Sequence, residues 1–222
     1  AVEEALRIVE ANGGNEEGGP HTVTVISMGP TRATEAIRKA LSMGANDAIL
    51  VSDPALAGSD ALATSSVLAE VIKKGGFDLV ICGTESTDAR MSVVPAMIAA
   101  RLQWPQLTFA GKVDIDVAGS KVSITRVTEA GVDTMNASMP AVISVVEKIN
   151  EPRYPSFKGI MAAKKKTIET RDLATVGATA QSPWSQVVDS ALRPPRAAGI
   201  KVTDEGDAGN ALVNFLAEKK LI

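Results

Sequence analysis

Short apolar runs alternate with longer amphipathic stretches along the first half of the chain. Buried strands are expected at residues 21–27, 48–52 and 77–82. Apolar residues recur at helical spacing in the stretches around them, namely residues 1–11, 31–43, 59–74 and 92–102. Helices of this length supply the crossovers that parallel strands need. The pattern therefore predicts an α/β fold with a doubly wound, mainly parallel sheet.

Two of the predicted helices indicate which faces are buried. The stretch at residues 59–74 has an inward stripe formed by Leu62, Val67, Leu68 and Val71. The stretch at residues 1–11 carries Val2, Leu6 and Val9 on one side, and its glutamates lie on the opposite, polar side. This first helix begins without a preceding strand or an initiator methionine, so we expect the native chain to start further upstream.

The pattern changes after residue 110. Residues 111–117 and 121–127 alternate apolar and polar side chains around Ala118 and Gly119, which predicts a β-hairpin. An apolar strand follows at residues 140–146. We expect a small antiparallel addition over residues 111–146.

The last quarter of the chain is typical of an extension rather than a second core. One irregular turn is expected at residues 167–177, with Leu173 inside it. An arm rich in alanine, serine and proline follows at residues 178–199, and its expected contact residues are Trp184, Val187 and Leu192.

A terminal amphipathic helix is expected at residues 211–222, and an isolated helix of this kind implies burial on another subunit. We therefore expect two parts. The first is an α/β nucleotide-binding domain at residues 1–166, with a partner-recognition loop at 145–167, and the second is a C-terminal arm and helix at 167–222.

Composition and charge narrow the classes of function. The net charge is −3, which gives no electrostatic reason to expect nucleic acid or an anionic membrane as a partner. No apolar run reaches the roughly 18 residues of a membrane span, so we expect no membrane insertion. Cys82 is the lone cysteine and is expected to be buried and inert. It suits a reducing compartment, either a bacterial cytoplasm or a mitochondrial matrix.

Two loops follow strands at the positions where α/β sheets bind small molecules, residues 28–31 and 83–94. In the second loop, glycine and small side chains let the backbone approach a ligand, and amides near Ser92 could hold a phosphate. Asp88 could accept hydrogen bonds from a ribose or a base. The alternative is a hydrophilic loop in which Asp88 is a cap. Neither a Walker A motif nor G-x-G-x-x-G occurs in the chain.

The stretch at residues 145–166, VVEKINEPRYPSFKGIMAAKKK, is the least expected part of a plain globular domain. Pro152 and Pro155 stiffen it, Phe157 stands between polar neighbours, Gly159 permits a turn, and a helical run begins at Ile160. A stiff loop with one exposed aromatic residue is a plausible docking device. The alternative is that Phe157 folds back onto its own domain.

Several motifs together resemble the electron-transfer flavoprotein beta subunit family over essentially the whole chain. They are TEAIRKALSMG at residues 34–44, the loop at 83–88, Trp-Pro-Gln at 104–106, the stretch from Arg126 through Glu129, Gly131 and Asp133 to Pro140, the loop at 150–166, and Val-Thr-Asp-Glu-Gly at 202–206.

The resemblance implies a heterodimer whose alpha subunit carries most of the FAD site, while this chain binds AMP and clasps the partner with its arm. It also implies an adenine-nucleotide-hydrolase-like, Rossmann-like fold, with neither a catalytic side chain nor a metal site in this chain. The AMP contacts that it implies are Met28, Gly83, Thr84, Glu85, Ser86, Thr87, Asp88, Ala89, Arg90, Met91, Ser92, Val93 and Val94.

The same resemblance assigns partners. Electrons pass from acyl-CoA dehydrogenases of fatty acid beta-oxidation, and from similar flavin dehydrogenases, to a membrane quinone oxidoreductase. Phe157 lies where the family has a hydrophobic anchor, usually leucine, and Arg126 is a candidate for the flavin side. The other implied docking residues are Glu151, Arg153, Tyr154, Pro155, Ile160 and Met161.

Two departures from the family leave alternatives open. Many members have an Asn-Gln-Thr triad at the AMP phosphate, where this chain has Ser92, Val93 and Val94, and the family's first strand would precede Ala1. One alternative is a bifurcating carrier with a second FAD in place of AMP. The other is an ATP-using enzyme, which the absence of a pyrophosphatase-type loop and of a general-base cluster argues against.

Overall fold

A computed structural model describes residues 1–196 and 198–222. Its helices are α1 (Val2–Ala11), α2 (Thr34–Met43), α3 (Ala61–Gly75), α4 (Val94–Leu102), α5 (Phe157–Lys165), α6 (Leu173–Val176) and α7 (Ala208–Glu218). Its strands are β1 (Thr24–Met28), β2 (Asp47–Val51), β3 (Leu79–Gly83), β4 (Gln106–Ala110), β5 (Lys112–Asp116), β6 (Lys121–Thr128), β7 (Gly131–Ser138), β8 (Ala141–Val145) and β9 (Glu169–Arg171). Residues 1–186 form one compact unit and residues 187–222 another.

Two parallel sheets of three strands each lie in the first unit. One has the order β1-β2-β9, and its register pairs Met28 with Val51 and Val51 with Arg171. The other has the order β3-β8-β4 and pairs Gly83 with Val145. The mixed α/β class is confirmed. Among the described residues, the parallel strands are hydrogen-bonded as these two groups rather than as one sheet, and the finer Rossmann-like classification stays a prediction.

Strand β8 corrects one prediction. The sequence pattern assigns residues 140–146 to the antiparallel addition, but β8 lies between β3 and β4 and is parallel to both. All five residues of β8 are buried. A strand that is covered on both faces loses the alternation of a half-exposed strand and becomes continuously apolar, which is the pattern of Ala141 to Val145.

Residues 167–177 also differ from the expected irregular turn. They contain strand β9, which extends the sheet beyond β2, and helix α6, whose Leu173 is buried as predicted. Asp172 caps this helix by accepting a hydrogen bond of 2.8 Å from the amide of Thr175. A three-residue strand is too short to show alternation, so its sequence gave no strand signal.

The antiparallel sheet has the order β5-β6-β7. The predicted hairpin of β5 and β6 is confirmed, with Asp116 opposite Lys121 at the turn. Strand β7, which the sequence interpretation did not identify, pairs with β6 along its full length. Val127 and Val132 face each other near the β6–β7 turn and are both exposed.

Helix α3 packs against both parallel sheets. Val67 and Val71 join a core cluster with Ile49 and Val51 of β2. Ile72 instead packs with α4 and with Val142 of β8. Leu62 was expected in the inward stripe, but it is exposed. It lies in the first turn of α3, two residues after the cap residue Asp60.

The second unit, residues 187–222, contains helix α7 as its regular element. The predicted terminal helix exists, but it starts at Ala208 rather than at residue 211. Apolar side chains of α7, including Leu212, Val213 and Phe215, are exposed to solvent. Within the described part of the chain, no helix is both long enough and apolar enough to span a bilayer.

Candidate functional site

The β3–α4 loop, defined as residues 83–94, leads from the end of β3 into helix α4. The Thr84 hydroxyl donates a hydrogen bond of 2.9 Å to the carbonyl oxygen of Val145, the last residue of the adjacent strand β8. The Ser92 hydroxyl donates to Oε2 of Glu85 at 3.0 Å. These two bonds fix the loop to the sheet at its start and tie its end back to its beginning.

The backbone of this loop turns sharply before α4. Arg90 and Ser92 have φ values of 50° and 56°, in the left-handed region. Residues other than glycine seldom adopt this conformation, and each instance costs about 1 kcal/mol or more. The amide of Arg90 donates to the carbonyl oxygen of Ser86 at 3.1 Å. Strain of this kind is found disproportionately at binding sites and switch regions.

The N-terminus of α4 has features that suit an anion. Val93 is at the N-cap position and makes no side-chain capping bond, and Pro95 lies in the first turn. Amides at a helix start have no partner within the helix, and the helix dipole places partial positive charge there. A phosphate could therefore accept hydrogen bonds from this end of the loop.

Asp88 lies within the exposed part of the β3–α4 loop. The Ser86 hydroxyl and the amide of Ala89 donate to its carboxylate and lower its pKa further below neutral pH. The alternative in which Asp88 caps the following helix is wrong, because α4 begins only at Val94 and Asp88 accepts from its own neighbour. As a charged acceptor, Asp88 remains suited to hydroxyl or amino groups of a ligand.

Met28 ends strand β1 and is half-buried. It packs against the cluster of Ile49 and Val51, whereas Val94 packs against the cluster of Ile98 and Val142. The two clusters share Ile26 of β1. The structure thus groups residues 83–94 in one loop and places Met28 at the end of a different sheet.

Residues 150–165, which are predicted to dock a partner and are therefore called the docking segment, begin as an extended chain and end as helix α5. The helix starts at Phe157, three residues before the predicted start at Ile160. Ser156 is the reason, because its hydroxyl accepts a hydrogen bond of 3.0 Å from the amide of Gly159 and caps the helix. The turn predicted at Gly159 is therefore the first turn of this helix.

Apolar side chains of the docking segment face solvent. Tyr154 is 95% exposed and Phe157 is 79% exposed, so Phe157 does not fold back onto its own domain. Phe157, Ile160 and Met161 are spaced at i, i+3 and i+4 and therefore share one face of α5. Both Ile160 and Met161 are also exposed. We call Tyr154, Phe157, Ile160 and Met161 the apolar patch.

The opposite side of α5 lies on helix α2. Gly159 is so close to α2 that an added Cβ would lie 2.5 Å from the carbonyl oxygen of Ser42, and Ala163 is fully buried. Arg38 of α2 donates through Nη1 to the carbonyl oxygens of Ala163 and Lys166 at the end of α5. Close packing and this capping interaction fix the helix that carries the apolar patch.

A protein-family model described as "Electron transfer flavoprotein domain" matches residues 1–176. The chain belongs to the electron transfer flavoprotein family. It is 49% identical over 228 aligned residues to "Electron transfer flavoprotein subunit beta" of Mycobacterium tuberculosis, a match that covers all of this chain and 84% of that protein. The subunit beta of Mycobacterium leprae is 48% identical over the same length. The resemblance to beta subunits is confirmed.

The chain is also similar, at lower identity, to Protein FixA of Azotobacter vinelandii. It is 40% identical over 182 residues, which cover 80% of this chain and 62% of FixA. The flavoprotein family indicates that a flavin takes part in function, and members are electron carriers rather than enzymes with a substrate of their own.

Arg126, the candidate for the flavin side, pairs with Asp133 in the antiparallel sheet. The two residues are register partners on β6 and β7, and Nη2 of Arg126 donates to Oδ2 of Asp133 at 2.9 Å. The family-like spacing of these two residues thus corresponds to a cross-strand ion pair. A flavin-side role for Arg126 stays a prediction.

Two further features concern the cysteine and the residue types that bind metal ions. Cys82 is half-buried rather than buried as expected, and desolvation raises the pKa of its thiol to about 11, which agrees with the expectation of an unreactive cysteine. In the described residues, no group of three or more histidine, cysteine, aspartate or glutamate side chains is placed to hold a metal ion.

The sequence interpretation missed the acidic residues that contact the docking segment. Glu3 and Glu4 were assigned to the polar side of α1, but both are buried. Asn150 donates to Glu4 at 2.8 Å, and Arg153 donates to both Glu3 and Glu10. Arg153, predicted as a docking residue, therefore faces its own domain. The sequence signal for this contact is that α1 carries glutamates and the docking segment carries an arginine. The two segments are about 150 residues apart, so an analysis of periodicity cannot pair them.

Proposed function

We propose that this chain is the beta subunit of a heterodimeric electron carrier, which moves electrons from acyl-CoA dehydrogenases and similar flavin dehydrogenases to a membrane quinone oxidoreductase. The observation that carries the proposal is the 49% identity to beta subunits along the whole chain. The redox group is FAD, held mainly by an alpha subunit. No side chain of this chain performs a chemical step; its residues bind, orient and dock.

The second unit is proposed to contact the alpha subunit. Leu212, Val213 and Phe215 on α7 and the arm residues Val187 and Leu192 expose apolar side chains to water. Several large apolar groups on one short segment are unusual for a surface that stays solvated. Burial on the alpha subunit would remove them from water, and it would make the arm an intersubunit clasp.

The β3–α4 loop is proposed to hold AMP. Three properties support it: exposed small side chains, a strained backbone at Arg90 and Ser92, and uncapped amides at the start of α4 for the phosphate. Asp88 supplies a charged acceptor for the ribose or the base. Val93 and Val94 have no hydrogen-bonding side chain, so the phosphate contacts fall to backbone amides and to the Ser92 hydroxyl, which would exchange its bond to Glu85 for one to the phosphate.

The apolar patch is proposed as the docking surface for the dehydrogenase. Phe157 is the anchor, Tyr154, Ile160 and Met161 surround it, and Glu151 and Pro155 lie on the same segment. A few apolar residues can supply most of the energy of such a contact. A small surface also permits rapid dissociation, which a carrier that visits two partners requires.

The nucleotide content of the purified heterodimer tests this proposal. We would co-express the chain with an electron transfer flavoprotein alpha subunit, denature the complex and identify the released nucleotides by chromatography and mass spectrometry. One AMP and one FAD for each heterodimer are expected. Two FAD molecules would instead favour a bifurcating carrier, and ATP turnover by the chain would favour an ATP-using enzyme.

Electron transfer is tested with the same complex. Reduced acyl-CoA dehydrogenase should transfer electrons to the FAD of the heterodimer, followed as bleaching of the flavin absorbance. A complex that contains FAD but accepts no electrons from any flavin dehydrogenase would refute the carrier function.

A further inference from the structure

The extended part of the docking segment is held by helix α1. Residues 150–156 contain no helix or strand, yet they make side-chain and backbone hydrogen bonds to three glutamates of α1. Asn150 Nδ2 donates to Oε2 of Glu4 at 2.8 Å. In return, Arg7 Nη2 donates to the carbonyl oxygen of Glu151 at 3.3 Å.

Arg153 is the centre of this contact. Its backbone amide and its Nε donate to Oε2 of Glu3 at 3.0 and 2.8 Å, and its Nη2 donates to Oε1 of Glu3 at 3.0 Å. The same Nη2 donates to Oε2 of Glu10 at 2.9 Å, and Nη1 donates to Oε1 of Glu10. A guanidinium forked between two carboxylates fixes both the position and the orientation of the residue that carries it.

The burial of Glu3 makes the contact difficult to break. Its side chain is only 5% exposed, and a buried carboxylate is strongly unfavourable without compensating donors. Arg153 and Arg7 supply those donors, and their hydrogen bonds lower the pKa of Glu3 to about 2. If the segment moved away from α1, Glu3 would lose its three hydrogen bonds from Arg153 and keep only the one from Arg7.

The contact also determines which side chains face outward. Arg153 points toward α1, whereas the next residue, Tyr154, is almost fully exposed. Ser156 then starts α5, which places Phe157 on the same outer surface. The position of the apolar patch thus depends on a residue that is not part of it.

We propose that α1 acts as a brace for docking, in which Glu3 and Glu10 hold Arg153 and thereby preset the backbone that carries Tyr154 and Phe157. Arg153 is a positioning residue rather than a contact residue for the dehydrogenase. The inference rests on the proposed function, because it assigns a role in docking. A segment ordered before association does not pay its ordering entropy on binding, and so the brace raises affinity without touching the partner.

The test uses the FAD-loaded heterodimer with an acyl-CoA dehydrogenase as electron donor. The variants are Arg153→Gln, Arg153→Lys and Glu10→Gln, with Lys112→Gln as a control that removes an exposed ion pair of β5. For Arg153→Gln we expect about a tenfold rise in the KM for the heterodimer, with kcat and FAD content unchanged. Arg153→Lys should be intermediate because it keeps the charge but loses the fork, and Lys112→Gln should have no effect.

Hydrogen exchange distinguishes local loosening of the docking segment from a loss of stability of the whole chain. Amides at residues 151–157 should exchange faster in Arg153→Gln, while amides of β8 keep their protection. Glu10→Gln removes one carboxylate but leaves the contact between Arg153 and Glu3 in place. It serves as a second variant if the Arg153→Gln chain does not assemble into a heterodimer. It should give a smaller rise in KM and a smaller increase in exchange at residues 151–157. Unchanged KM together with faster exchange would overturn the inference, as would a rise in KM that accompanies loss of FAD.

Phe157→Ala separates this inference from the proposed function. That variant should raise the KM without changing exchange at residues 151–156. If Phe157→Ala has no effect on the KM, the apolar patch is not the docking surface and the proposed docking function fails. If Phe157→Ala raises the KM but Arg153→Gln does not, docking stands and the brace is refuted.

Discussion

Replacement of Gly159 by alanine tests whether packing of α5 on α2 positions the docking surface. Gly159 lies in the first turn of α5, two residues after Phe157, and it faces α2. An added Cβ would lie 2.5 Å from the carbonyl oxygen of Ser42. That oxygen is part of the backbone of α2, so it cannot rotate away. Helix α5 must move instead.

The size of the shift follows from the distance. A contact between carbon and carbonyl oxygen needs about 3.3 Å, so α5 must move by about 0.8 Å. Overpacking of this kind costs about 1 to 3 kcal/mol, and the better helix propensity of alanine offsets about 1 kcal/mol. We expect the free energy of unfolding to decrease by about 1 kcal/mol.

The same shift affects docking, because Phe157 moves with the helix. A gap of this size forfeits about a quarter to a half of a van der Waals contact. If Phe157 contributes about 1 to 3 kcal/mol, the loss is about 0.3 to 1.5 kcal/mol, or roughly a 1.5-fold to 12-fold weaker affinity for the dehydrogenase. Urea unfolding and the KM of electron transfer measure the two effects separately.

Ala162→Gly is the matched control. Ala162 is on the exposed side of α5, and its replacement costs about 1 kcal/mol of helix stability without any steric contact with α2. It should lower stability by a similar amount while leaving the docking affinity closer to that of the original chain. If Gly159→Ala is as stable as the original chain and docks equally well, then the packing at Ser42 does not position the docking surface.

The other predictions use the same measurements. Phe157→Ala should weaken docking by about 1 to 3 kcal/mol without lowering FAD content, whereas Val117→Ala, at another exposed apolar position, should not. The pKa of Glu3 is lowered from 4.5 to about 2 in the folded chain, so its contribution to stability is present above about pH 4.5 and is lost as the pH falls toward 2. In Glu3→Gln, the free energy of unfolding should therefore decrease less steeply as the pH falls from about 4.5 to 2. The same pH dependence as in the original chain would contradict the lowered pKa of Glu3. Since the pKa of Cys82 is raised from 9.0 to about 11, alkylation at pH 8 should be about a hundredfold slower in the folded than in the unfolded chain, and equal rates would show that the thiol is accessible.

Most of the fold could be predicted from local pattern, and the exceptions have identifiable causes. Helices α2 and α3 and strands β1 to β3 follow from apolar spacing and from glycines at the helix ends, as at Gly44. Strand β8 was found but placed in the wrong sheet, because a sequence segment carries no signal for its hydrogen-bonding neighbours. The three-residue strand β9 was missed because its pairing with β2 bridges about 120 residues of sequence.

The candidate site divides in the same way. The residue pattern alone leaves open whether Phe157 is exposed or folds back onto its own domain, and it is the resemblance to the beta subunit family that favours exposure. The early start of α5 could have been predicted from Ser156 as an N-cap residue. By contrast, the pairing of Arg153 with Glu3 and the close approach of Gly159 to Ser42 are tertiary contacts. Neither leaves a mark in periodicity or composition.

On the docking segment, the residues that hold the backbone differ from the residues that face outward. The outward residues can therefore change in sequence without changing the fold. Arg153, Gly159 and Ala163 hold the backbone, while Tyr154 and Phe157 make no comparable contribution to its shape. Substitutions at the outward positions are therefore nearly free of a folding penalty. A library restricted to them should yield carriers with altered donor preference from a single unchanged scaffold.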